Sequence, residues 1–143
     1  MKRLGMVYIC FLLLFLPIQN HVYSKELKLN VDSLELQVQD IMMLQLTDPV
    51  SDAVKKYYAK SLKKVPVVYP YEMSVLHIER MDGFRSFRFK VVLDVVPVIG
   101  PHISVGRDRV TLLVTAGETK VISFEHIETF ELPPKWAQFK KEE

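Results

Sequence analysis

The chain of 143 residues is 49% hydrophobic and 25% charged, and its net charge at pH 7 is +2. Such a composition is typical of one folded domain. The small net charge argues against nucleic-acid binding, which depends on neutralising phosphates with a marked basic excess.

The first 24 residues have the order of a secretory signal peptide. Lys2 and Arg3 precede an apolar run from Leu4 to Leu16, and a polar stretch follows. This run is shorter than the roughly 20 apolar residues of a membrane-spanning helix. We therefore expect cleavage after Ser24 and no stable transmembrane anchor afterwards, with an uncleaved anchor as the alternative.

The single cysteine, Cys10, lies inside this apolar run. The large residues before it disfavour a lipoprotein signal. Cleavage would remove Cys10 and leave an exported chain without disulfides, so its core alone would stabilise it. We expect a protein that is secreted or associated with the cell envelope.

Two helices are predicted after a polar leader at residues 25–31. Asp32 with Glu35 three residues later is a capping-box pattern, and apolar residues then recur at the steps of a largely buried helix. Asp48-Pro49 predicts a second helix start, because proline is favoured at the first helical position. The second helix is rich in lysine, which indicates a solvated face; contact with anionic envelope polymers is the alternative.

Four strands are predicted from residue 71 onwards. Alternation to Arg80 and the tight-turn pair Asp82-Gly83 indicate a hairpin. In the next strand, Arg85 to Val96, one face would carry Phe87, Phe89, Val91, Leu93 and Val95. A turn-rich loop at 97–106 separates it from two further strands at 109–115 and 120–127.

The order of these elements predicts a single α+β domain over residues 32–132. We expect an N-terminal helix pair packed on a four-stranded antiparallel meander sheet. Cystatin-like and NTF2-like domains share this general form, which is an analogy of fold alone. A charged tail would follow at residues 133–143.

The sequence contains none of the common catalytic or metal-binding motifs. Three histidines follow the signal-like segment: His77, His102 and His126. A zinc site would require histidines and a carboxylate to converge on the metal, and the spacing of these residues does not require that. We therefore predict no metal and no cofactor.

The turn Gly100-Pro101-His102 is the most specific local feature. Glycine permits a positive φ, and proline fixes its own φ near −65°. The histidine that follows either bonds a loop carbonyl and holds the turn, which is the favoured interpretation, or reaches over the sheet edge to act chemically.

Several segments together resemble a bacterial family known as domain of unknown function 3888. They are Phe89 to Leu93, Gly100-Pro101-His102, Val110 to Leu112 and Lys120 to His126, and Tyr57-Tyr58 matches a Tyr-Tyr pair near the end of a leucine-rich helix. Family members look like short exported proteins of Gram-positive endospore-forming bacteria. The resemblance implies fold and export but no reaction. Ile103 to Gly106 departs from the family's Asn-Pro-Pro-Tyr-Gly segment.

The leading interpretation is a non-enzymatic binding module that takes a protein or a small ligand outside the cytoplasm. The helix pair, the strand from Arg85 to Val96 and the loop from Gly100 to Gly106 would form the binding region. One alternative is a small hydrolase or metal-dependent enzyme that uses His102 or His126 with a nearby carboxylate. Another is a cystatin-like protease inhibitor.

Overall fold

The computed structural model describes residues 32–141 and has an α+β fold, as predicted. The expected signal peptide at 1–24 and polar leader at 25–31 lie outside the described residues. Within the described part of the chain, no helix is both long enough and apolar enough to cross a membrane.

The prediction of a helix pair is wrong, because both segments belong to one helix, α1 (Leu34–Tyr58). Pro49 lies inside this helix, although proline removes a backbone donor and normally kinks or ends a helix. Leu46, Val50 and Val54, before and after Pro49, are buried in the same core. Tertiary packing on both sides of the proline thus outweighs the local signal for a new start.

The beginning of α1 also differs from the prediction. Ser33 is the N-cap, and its hydroxyl oxygen accepts a hydrogen bond from the Leu36 N–H at 3.2 Å. Asp32 has a φ of 58° and does not cap the helix. The first half of α1 is less buried than expected, since Val38 and Ile41 are more than half exposed.

The predicted four-stranded antiparallel sheet is confirmed. Its strand order is β1-β2-β5-β6, and a separate two-stranded hairpin, β3-β4, lies in the loop between β2 and β5. The strands are β1 (Met73–Arg80), β2 (Phe89–Val95), β3 (Val98–Ile99), β4 (Ile103–Ser104), β5 (Gly106–Val114) and β6 (Thr119–Thr129).

The predicted register of β2 is confirmed from Val91 onwards. Val91, Leu93 and Val95 are buried, and the alternate residues on this strand are more accessible. Phe87 is 69% exposed and precedes the strand, which begins at Phe89. One face of the sheet therefore forms the core with α1.

Part of the expected charged tail is packed on the domain. Pro134–Phe139 forms a 3-10 helix, and Trp136 and Phe139 pack against the core. The Lys141 N–H donates to the Ser61 carbonyl at 2.9 Å. These contacts extend the folded unit beyond residue 132, where the sequence predicted its end.

Candidate functional site

The Gly100-Pro101-His102 turn connects β3 to β4. Gly100 and His102 both have positive φ, 54° and 60°. The exposed His102 ring lies 4.9 Å from the Tyr69 ring, and its Nδ1 is 3.3 Å from the Tyr71 hydroxyl. The partner of His102 is thus a tyrosine hydroxyl, where the favoured interpretation expected a loop carbonyl.

Gly100 lies directly beneath the Trp136 ring. A Cβ at position 100 would collide with Trp136, so the missing side chain permits this contact. The turn thereby joins the β3-β4 hairpin to the C-terminal 3-10 helix. These contacts indicate that the turn contributes to packing.

His126 lies in a different environment, within a hydrogen-bonded group that we call the Asp108 cluster: Tyr58, Asp108, His126 and Thr129. His126 Nδ1 is 2.7 Å from Asp108 Oδ1, and His126 Nε2 is 2.7 Å from Thr129 Oγ1. The Tyr58 hydroxyl lies 3.4 Å from the same Asp108 oxygen. The structure does not bring His102 into this group.

The register of the sheet and the end of α1 create the cluster. Asp108 on β5 and His126 on β6 are direct cross-strand partners. Both side chains contact the end of α1, since Asp108 accepts from Tyr58 and His126 stacks on Tyr57. Tyr58 is the last residue of the helix. A register shift between Arg107 and Asp108 precedes this pair.

Gly106 provides the space in which the cluster forms. A Cβ at this position would collide with the Tyr58 hydroxyl and would lie 3.1 Å from His126 Cε1. It would also lie only 2.6 Å from the Glu128 backbone carbonyl oxygen, which belongs to the adjacent strand. Any side chain at position 106 would therefore displace the tyrosine or spread the two strands.

Asp108 is completely buried, and its Oδ2 has no hydrogen-bond partner among the described residues. Burial raises the pKa of the Asp108 carboxyl, while the hydrogen bonds from His126 and Tyr58 oppose that rise. Burial and the nearby Asp108 raise the pKa of Tyr58, so its hydroxyl stays protonated and donates.

The protonation of each group determines which atom donates and which accepts in the hydrogen bonds of the Asp108 cluster. An ionised Asp108 can only accept, so His126 donates from Nδ1–H. In the tautomer that carries its proton on Nδ1, His126 presents the Nε2 lone pair to the Thr129 hydroxyl, which can donate to it. The cluster aligns a hydroxyl, an imidazole and a carboxylate.

Tyr57, the neighbour of Tyr58, covers this cluster from the solvent side. Its ring stacks on Phe124 with 5.0 Å between centroids and on His126 with 4.9 Å between centroids. Tyr57 is nevertheless 38% exposed. Tyr57 lines two clefts on the surface.

The larger cleft, of about 670 Å³, lies between the second half of α1 and β6. We call it the lysine-rimmed cleft. Its apolar lining comes from Pro49, Ala53, Tyr57, Val121 and Phe124, and its charged lining comes from Asp52, Lys56, Lys60 and Lys120. Asp52 is paired with Lys55 at 3.2 Å, which offsets its negative charge.

The smaller cleft, of about 380 Å³, begins on the other side of Tyr57. We call it the Thr129 cleft, because Thr129 lies in its wall. Apolar side chains and three lysines also line it: Leu62, Val105, Phe130 and Leu132, with Lys60, Lys140 and Lys141. Tyr57 and Lys60 belong to both clefts.

Within residues 32–141, no group of three or more histidine, cysteine or acidic side chains is placed to hold a metal ion. His77 lies on β1 opposite Val92, and it is exposed on the face of the sheet that does not form the core. The three histidines therefore occupy three separate environments.

Sequence reasoning selected His126 but missed Asp108 and Thr129, its two partners. An acid at position 108 interrupts a strand face that is otherwise apolar, at Val110, Leu112 and Val114. This acidic residue on an apolar face was the available signal. The predicted strand began at residue 109, so it did not include Asp108. The family resemblance also indicated Tyr57-Tyr58.

A family model described as "Protein of unknown function (DUF3888)" matches residues 38–128. The matched region contains Tyr57, Tyr58, Asp108 and His126, and Thr129 follows it directly. No curated protein and no solved structure matches the chain. The expected likeness to cystatin-like and NTF2-like domains therefore has no support from a solved structure.

Proposed function

The chain belongs to the DUF3888 family, and we propose that it is an exported binding protein of the cell envelope or the secreted space. Its ligand has an apolar body and an anionic group, as a single-chain lipid with a phosphate or carboxylate headgroup does. The lysine-rimmed cleft is the observation that carries this proposal.

The apolar lining of this cleft suits a hydrocarbon chain. Tyr57 and Phe124 stack on each other at the surface, and Pro49, Ala53 and Val121 continue the same lining. Ligand sites are commonly clefts of about 300–1,000 Å³ with mostly apolar walls and a few placed polar groups. The volume of about 670 Å³ is within that range.

The charges at the rim favour an anion. Lys56, Lys60 and Lys120 line the cleft, and Asp52 is the one acidic residue in that lining. Because Lys55 is paired with Asp52, the lysines dominate the field there. Lysine ammonium groups on flexible stems bind phosphate and carboxylate as point charges.

The signal-like segment at residues 1–24 supports export. A mature chain outside the cytoplasm would meet anionic lipids and anionic polymers, and the apolar lining favours the lipid. The lysine-rich face of α1, read from the sequence as solvated, would then have a second role as part of the rim.

A titration of the exported chain with dodecyl phosphate, kept below its micelle concentration, tests the proposal by calorimetry. Dodecyl maltoside provides the same alkyl chain without the charge, and inorganic phosphate provides the charge without the chain. We expect dodecyl phosphate to bind more tightly than either. Saturable binding of inorganic phosphate alone, or equal binding of the neutral detergent, would contradict the proposed ligand class.

Variants locate the site. Lys56→Gln combined with Lys120→Gln removes two rim charges and should weaken binding about two- to thirtyfold, because each exposed charge contact contributes roughly 0.2–1 kcal/mol. Lys90→Gln is the matched control, since Lys90 lies on the open face of the sheet, paired with Glu79. Equal affinity in all three proteins would place the ligand elsewhere.

A further inference from the structure

We propose that Thr129 is the nucleophile of an acyl-transfer site that hydrolyses carboxylic esters carrying an anionic group. His126 acts as its base, and Asp108 orients His126. This activity goes beyond the proposed binding function and does not depend on it. It assigns a chemical role to the Asp108 cluster.

The geometry is that of a nucleophile, a base and an orienting acid. Thr129 Oγ1 and His126 Nε2 are 2.7 Å apart, and His126 Nδ1 and Asp108 Oδ1 are also 2.7 Å apart. Both distances lie within the roughly 2.6–3.2 Å expected for an activated nucleophile and its base. Hydroxyl, imidazole and carboxylate recur in this order on unrelated folds, where geometry identifies them.

The burial of Asp108 favours a chemical role over simple packing. The carboxyl occupies a position on an otherwise apolar strand face, and one of its oxygens has no partner among the described residues. An apolar side chain would suit that position better, because burying an imperfectly bonded carboxyl is unfavourable. The hydrogen bond between the Asp108 carboxyl and His126 Nδ1 fixes the tautomer and the ring orientation of His126.

Thr129 is placed where a substrate can reach it. It is exposed near the end of β6 and lies in the wall of the Thr129 cleft. Lys60 and Lys140 line the same cleft and would hold the anionic group of the ester. Lys141 donates to the Ala59 carbonyl at the end of α1, and Leu62, Val105 and Leu132 provide an apolar surface for the acyl chain.

Two successive displacements complete the reaction. Thr129 Oγ1 attacks the ester carbonyl carbon as its proton passes to His126 Nε2. The bond from that carbon to the alcohol oxygen then breaks, and the departing alcohol takes the proton from Nε2. Water then attacks the carbonyl carbon of the acyl-threonine and gives a proton to His126 Nε2. The bond from that carbon to Thr129 Oγ1 breaks, and Oγ1 takes the proton from Nε2. The products are an alcohol and a carboxylic acid.

Mono-4-nitrophenyl succinate is a suitable probe, because it is an activated ester with a free carboxylate. We expect the exported chain to release nitrophenolate from it faster than from the neutral 4-nitrophenyl butyrate. Thr129→Val and His126→Gln should each lower the rate by a factor of about 10² or more, the usual range for losing base-assisted attack. Thr129→Ser should retain activity.

Ser123→Ala is the matched control, since Ser123 is a hydroxyl residue of the same strand on the opposite face. Circular dichroism confirms that each variant is folded. Covalent labelling with an alkyl fluorophosphonate provides an independent readout. The reagent should bind covalently to Thr129 in the wild type, and it should label no residue of the Thr129→Val variant.

Hydrolysis by Thr129→Val at the wild-type rate, or a wild type that is neither labelled nor faster than this variant, would overturn the proposal. The dodecyl phosphate titration is read independently of either result, because the two rim lysines that its variants change, Lys56 and Lys120, lie outside the Thr129 cleft. Failure of hydrolysis is thus distinguishable from failure of the binding function.

Discussion

Truncation of Leu93 tests the arrangement of the core. This side chain is 0% exposed, and across the strands it faces Val75 on β1 and Val110 on β5. Leu93→Ala removes three carbons, which corresponds to about 2.4 kcal/mol at roughly 0.8 kcal/mol per buried methylene. Incomplete collapse of the cavity adds to this, so we expect a loss of about 3–4 kcal/mol in the free energy of unfolding.

Urea denaturation followed by circular dichroism measures this loss. Leu76→Ala is the matched control, because the same three carbons are removed from a side chain on β1 that is about half exposed. The control should lose roughly 1 kcal/mol or less. Equal losses in the two variants would mean that the assigned face of the sheet is wrong.

Two further perturbations test the turn and the buried acid. Gly100→Ala should make the new methyl group collide with Trp136 and should strain a backbone with a φ of 54°. Because Trp136 is the single tryptophan of the chain, its fluorescence should shift to the red. An unchanged spectrum would contradict the contact. Because the pKa of Asp108 is raised, the folded chain holds this proton to a higher pH than the unfolded chain, whose carboxyl titrates near 3.8. The stability of the wild type relative to Asp108→Asn should therefore fall as the pH rises through and above the unfolded value near 3.8 in chemical denaturation, and a difference that grows with pH would refute this.

The strands were predictable because their signal is local. Alternation along β2 placed Val91, Leu93 and Val95 on one face, and one side of the sheet is indeed buried. The prediction of a helix pair was wrong because tertiary packing outweighed the local sequence signal. Asp48-Pro49 does favour a helix start, but burial of Leu46 and Val50 on the two sides of the proline holds the chain in one helix.

The Asp108 cluster could not be derived from spacing, since its members come from separate elements. Tyr58 ends α1, and Asp108 meets His126 through the pairing of β5 with β6. A register shift beside Asp108 decides which residue of β6 faces it. Bulges of this kind have no reliable sequence signal, so the sequence identified one histidine of the site without its partners.

Amide chemical-shift mapping by NMR during a dodecyl phosphate titration tests the proposed function most directly. We predict that the largest shifts fall on the lining of the lysine-rimmed cleft, at Ala53, Tyr57, Val121 and Phe124. Residues on the open face of the sheet, such as Lys90 and Thr111, should not move. Shifts centred on that open face, or none at all at saturating ligand, would contradict the account.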